Sequence, residues 1–129
     1  MTYTSGTPAS RAIFVIPTVA DVSAMHRAGV RLLAGTDLPL TNERSSLPDE
    51  LALLVEAGLT PLEALRTATR DAAEFLGQSD RLGTIAKGRY ADAVLLDGDP
   101  LLDIANVKRI AAVITAGRLL RQPISVRDL

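Results

Sequence analysis

The run Gly29-Val-Arg-Leu-Leu-Ala-Gly-Thr-Asp37 constrains this chain more than any other stretch. Val30 to Ala34 is short and mostly apolar, the pattern of a strand buried in a parallel sheet. Gly35 breaks it, and a carboxylate follows where such a strand would end. In barrels of parallel strands, chemistry collects at the C-terminal strand ends, so Asp37 reads as a metal ligand or general base. The competing reading is an Asp in a strand-to-loop turn that accepts backbone hydrogen bonds. A complete metal site cannot be assembled around it from this sequence, which has one His and no Cys.

Helix signals surround the run. Thr18 with Asp21 at the third helical position predicts a helix to about Arg27, closed by Gly29. Ser46-Leu-Pro-Asp49 predicts a second start, with Leu47, Leu51, Leu54 and Val55 on one face and Gly58 at the end. Thr60-Pro61-Leu-Glu63 is a third start with Pro at the first helical position, and Asp71-Ala-Ala-Glu74 a further one ending at Gly77. Arg11 to Ile16 reads weakly as a strand or buried turn. After Gly83 the pattern turns to strands: Ala91–Asp97, Ile110–Thr115 and a return over Arg118–Leu120 through an Ala116-Gly117 turn. These form a small unit of two or three strands that needs something to pack on.

Composition narrows the function. The core must be aliphatic, because 47% of residues are apolar but only 3% aromatic. A net charge of −1 with scattered Lys and Arg gives no nucleic-acid footprint and no basic membrane face. No early apolar run is long enough for a signal peptide or a membrane span. The lack of Cys fits a reducing compartment, so the expected location is cytoplasmic.

Other acids have simpler explanations. Asp49 and Glu50 are first-turn acids favoured by the helix dipole. Asp92, Asp97, Asp99 and Asp103 surround a Gly98 turn without calcium-loop spacing. His26 lies on the helix that enters the N-terminal end of the Val30 strand, the pole opposite Asp37, so helix packing or surface placement explains it.

Taken in order, the motifs carry a family pattern. Gly29 to Asp37, then Glu50-Leu-Ala-Leu-Leu-Val-Glu-Ala-Gly-Leu-Thr-Pro61-Leu-Glu-Ala-Leu-Arg-Thr-Ala-Thr69, closely resembles the C-terminal third of the amidohydrolase superfamily. The similarity continues through Leu82 to Ile104 and ends in Val113-Ile-Thr-Ala-Gly117-Arg118. It looks most like the imidazolonepropionase-like and prolidase-like branch. The resemblance implies an α/β fold: a C-terminal fragment of a (β/α)8 barrel, with its last helix–strand unit and following helices, plus the C-terminal strands of a small composite β-sandwich. Residues 1–80 would be the barrel segment and 81–129 the sandwich strands.

The same resemblance implies a metal-dependent hydrolase of C–N bonds in non-peptide amides, cyclic amides or amidines, or dipeptide-like substrates. Asp37 would be the acid at the end of the eighth strand, a ligand of a divalent metal (zinc first) and the base toward attacking water. No substrate-binding residue is assigned. The histidines that the family carries on its first, fifth and sixth strands have no counterpart here, and Pro48 stands where the branch often has His. This chain alone is therefore expected to bind no metal tightly and to be inactive. A small amide-type substrate belongs to the complete site, with no nucleic-acid or membrane partner. The alternative is a non-catalytic remnant acting as an interaction module, with self-association through exposed strand edges. A stand-alone α/β binding domain is a third possibility.

Overall fold

Three helix starts sit where local chemistry puts them. The computed structural model describes residues 3–4, 11–12, 18–35 and 46–121. Helix α1 (Val19–Arg27) is capped by Thr18 and Asp21, α2 (Leu47–Glu56) by Ser46 and Asp49, and α3 (Pro61–Thr67) by Thr60 and Glu63. In each, the hydroxyl accepts the third N–H and the acid reaches back to the cap N–H, so two orphan donors are satisfied reciprocally. Gly29 and Gly58 follow the first two helices with φ of +75° and +107°, conformations that cost an L side chain heavily.

The fourth start differs from expectation. Helix α4 (Arg70–Phe75) begins two residues earlier, after Thr69, and no side chain caps it. The Thr69 hydroxyl donates instead to the Leu65 carbonyl, Asp71 pairs with Arg70, and Glu74 is drawn to Arg31 by a two-bonded ion pair at 2.8 and 3.2 Å. A long-range partner thus takes the acid that a local box would have used.

Residues 30–35 form neither helix nor strand, and nothing among the described residues pairs with them. The expected buried strand is instead half-buried, and on one side only. Leu32 and Ala34 pack on the core while Val30 and Leu33 are each 38% exposed. A parallel strand needs neighbours on its hydrogen-bonding edges, and among the described residues none lies there.

The core is a single cluster of Leu51 and Leu54 from α2, Leu59 and Ala64 around α3, and Ile104 and Val107. The last two belong to a 3₁₀ helix (Ile104–Lys108) that sequence patterning missed, since only two buried positions mark it. Leu96 packs on the same cluster and so docks the sheet against the helices.

That sheet has three antiparallel strands in the order β3 (Ala93–Leu96), β4 (Ile110–Thr115), β5 (Arg118–Arg121). Ala93 pairs with Ile114 and Val94 with Val113. Across the next pair, Val113 meets Leu120 and Thr115 meets Arg118. The Ala116-Gly117 turn has positive φ at both residues, +49° and +76°, as a tight hairpin of matching twist requires. Two further short strands, β1 (Tyr3–Thr4) and β2 (Arg11–Ala12), pair antiparallel with each other. β2 falls within the run from Arg11 to Ile16 that reads weakly from sequence as a strand or buried turn, and residues 13–16 lie outside the described residues. No helix among the described residues is long and apolar enough to cross a membrane.

Candidate functional site

Segment 30–35 precedes the predicted site in the chain. It leaves α1 through a turn in which the Gly29 N–H donates to the His26 carbonyl and the Val30 N–H to the Met25 carbonyl. Leu32 and Ala34 fasten it to the core, and the Arg31–Glu74 pair ties its outer side to α4. Asp37 itself lies outside the described residues, as do the loop residues 38–45 that would border it.

Both ends of that loop are described. On the entry side, the Gly35 N–H faces the Glu50 carboxylate, reached from the first turn of α2. Partial burial pushes the Glu50 carboxyl above its ordinary value, and the Gly35 N–H pulls the other way. On the exit side, Ser46 caps α2 and Asp49 closes its box. Asp49 also takes the Lys108 ammonium across from the 3₁₀ helix. That bond, followed by the bonds from Ser46, holds the Asp49 carboxyl at about 2, well below the usual carboxylate range.

Glu50 is the residue that sequence reasoning passed over. A first-turn acid needs no further explanation, yet Asp49 already fills the capping role, which leaves its neighbour available to turn inward. That redundancy of two adjacent acids was the available signal.

The remaining acids stay apart from this place. Asp99 accepts from the Leu101 N–H, Asp103 from the Ala105 N–H, and Asp92 from the Ala116 N–H at 2.7 Å. They are turn and cap acceptors, as expected for solvated turn acids. His26 stands near Glu63 at the start of α3, where it adds a minor pull on a carboxyl lowered mainly by its bonds to Thr60.

Among the described residues no three His, Cys, Asp or Glu side chains come together to hold a metal ion. A tetrahedral zinc site takes at least three protein ligands, so these residues do not fit one.

Residues 7–120 match the amidohydrolase family. An imidazolonepropionase of Sphingopyxis alaskensis is 40% identical over 85 residues, covering 61% of this chain and 20% of that protein. An ochratoxinase of Aspergillus niger is 35% identical over 102 residues, covering 75% and 21%. A solved Xaa-Pro dipeptidase with methionine in its active site superposes with a TM-score of 0.74 at 28% identity, covering 80% of this chain and 25% of that one. The chain spans between about 20% and 29% of the length of the relatives it matches.

Proposed function

The chain belongs to the amidohydrolase family, and from that premise we propose that it is the C-terminal portion of a metal-dependent hydrolase of C–N bonds. Residues 1–80 would contribute the last part of its barrel and 81–129 the strands of its composite sandwich. The reading is carried by the ordered match that runs through Gly29–Asp37 and on to Gly117, spanning both parts. The imidazolonepropionase, ochratoxinase and dipeptidase relatives suggest substrates from cyclic amides to dipeptide-like amides. The proposed location is the cytoplasm.

Asp37 is the acid this chain would supply, as ligand and as base toward the attacking water. A divalent metal, zinc first, would make that water acidic near neutral pH. One carboxylate does not hold zinc tightly, so on this reading the remaining ligands would come from the rest of a longer protein. The described residues nearest to Asp37 in sequence are those on either side of 36–45. Glu50 faces the peptide two residues before it, and the Ser46–Asp49–Lys108 group fixes the far end of its loop.

The intact mass of the native protein in its own cells tests the first half of the reading. A species several times heavier than 13.7 kDa supports a hydrolase portion; a species at that mass overturns it in favour of a non-catalytic role. The second half is tested on the long protein with zinc and a panel of cyclic amides and dipeptides. Asp37→Asn should lower kcat by about 10²–10⁴-fold, the range for loss of a general base. Full activity in that variant would remove Asp37 from the mechanism. The 129-residue chain assayed alone should show no turnover.

A further inference from the structure

At the Gly98 turn, packing and covalent chemistry pull against each other. A Cβ on Gly98 would stand 2.6 Å from both Cγ and Oδ1 of Asn106, so the Asn106 side chain leaves room for glycine alone. Glycine after an aspartate, however, has no side chain to hinder its peptide nitrogen from reaching the neighbouring carboxyl carbon. Asp97–Gly98 is the one Asp-Gly or Asn-Gly step in the sequence. The contact that demands glycine therefore also creates a labile bond.

Asn106 also pins the turn. Its Nδ2 donates to the Asp99 carbonyl at 2.9 Å, and its Oδ1 accepts from the Arg109 guanidinium at 3.4 Å. The Asp103 N–H adds a bond to the Asp99 carbonyl at 3.3 Å, and the Asp97 N–H donates to the Arg109 carbonyl at 2.8 Å. Asn106 is itself held in the 3₁₀ helix, its N–H on the Asp103 carbonyl at 3.0 Å. Ring closure requires the Gly98 nitrogen to swing toward the Asp97 Cγ by rotation about the Asp97 Cα–C bond. With Asp97 anchored at its N–H and Asp99 at its carbonyl, that rotation must push Gly98 against Asn106 or break the Asp99 bonds.

We propose that Asp97–Gly98 is a site of backbone isomerisation and that Asn106 keeps it closed in the folded protein. The Gly98 nitrogen attacks Cγ of the protonated Asp97 carboxyl, the new N–C bond forms, and the carboxyl hydroxyl leaves with the nitrogen's proton as water. Hydrolysis of the resulting succinimide at the former main-chain carbonyl takes the water back. The chain then runs through Cγ, as an isoaspartate of unchanged mass. One extra carbon now lies in the main chain between β3, whose Leu96 packs on the core, and the 3₁₀ helix that supplies Ile104 and Val107. The step needs no metal and no turnover, and stands apart from the hydrolytic reading.

Peptide mapping tests it on the protein at its native length, incubated near neutral pH both folded and in urea. Isoaspartate at position 97 is read as a second peptide peak of equal mass, which Asp97→Glu should abolish. In urea the unaltered protein and Asn106→Ala should isomerise at one rate, because the sequence alone sets it. Folded, the unaltered protein should isomerise more slowly than in urea by at least about tenfold, since only the opened turn reacts. Folded Asn106→Ala should isomerise about tenfold faster than the folded unaltered protein, the gain in opening expected from losing one or two hydrogen bonds. Where circular dichroism shows that Asn106→Ala does not fold, Asn106→Asp takes its place, equal in size but with no N–H for the Asp99 carbonyl. A folded variant as well protected as the unaltered protein overturns the proposal. So does a folded protein that isomerises as fast as in urea, or a chain that forms no isoaspartate at 97 even in urea.

Discussion

Gly83 shows how one residue can join two parts of the molecule. It has φ of +84°, and a Cβ there would stand 2.7 Å from the Ala73 Cβ, 2.8 Å from the Thr69 carbonyl oxygen and 2.9 Å from the Arg70 Cα. The chain therefore leaves the helices by passing directly against the start of α4, where the lack of a side chain is required. Arg89 reinforces the passage by donating to the carbonyls of Ser79 and Leu82. Gly88 has nearly the same φ, +87°, but nothing within 4 Å of its virtual Cβ. Comparing the two separates backbone strain from collision. Gly88→Ala should cost about 1 kcal/mol, the penalty of the left-handed conformation alone. Gly83→Ala should cost about 2 kcal/mol more, because α4 must shift to make room. Urea midpoints of the two variants check this, and equal losses would mean that the close approach is absorbed at no cost.

At the scale of elements, legibility followed the range of the interactions. The starts of α1, α2 and α3 were readable because a capping box closes within four residues. Strands β4 and β5 were readable from β-rich runs bracketing a turn. The segment 30–35 was not, because strand character depends on partners that sequence patterning cannot locate. The Asp71–Glu74 box failed for a related reason: Arg31, 43 residues away, claims Glu74. Asp37 was legible as a candidate, while the inward turn of Glu50 toward Gly35 depended on packing. The first turn of α2 also gives two adjacent acids opposite pH behaviour. Asp49 is lowered from 3.8 to about 2, so its contribution is present above pH 4 and lost as pH falls toward 2. Glu50 is raised from 4.5 by burial, so its ionisation opposes folding, and stability is gained as pH falls through its folded value toward 4.5. Acidification should therefore first raise and then lower the urea midpoint. Asp49→Asn should flatten the acid limb below pH 4, and Glu50→Gln should remove the rise above it. A profile unchanged in both variants would show that neither acid couples to folding.

At the scale of the whole molecule, the described fold has more apolar surface than it covers. Among the described residues no large side chain is fully buried, and the core draws on one face each of α2, α3 and the 3₁₀ helix. Ile85 is 93% exposed, Leu102 86% and Leu76 65%. Exposed apolar residues are ordinary when scattered. Here, however, several lie on the sheet edges and beside the helices whose packing the fold depends on. Small domains are marginal because their surface is large for their volume, and a one-sided core sharpens that problem. The long proteins that this chain matches have three-quarters or more of their length with which to cover such a surface. The isolated chain should therefore bind a hydrophobic dye in the absence of denaturant. It should also unfold in urea with a slope below about 1 kcal/mol/M, the lower bound for small cooperative domains, because little surface remains to be exposed. Fluorescence titration and urea denaturation followed by circular dichroism measure both. A dye-silent chain that unfolds in one steep transition would show that its own 129 residues complete the core, and would favour an autonomous domain over a portion of a larger barrel.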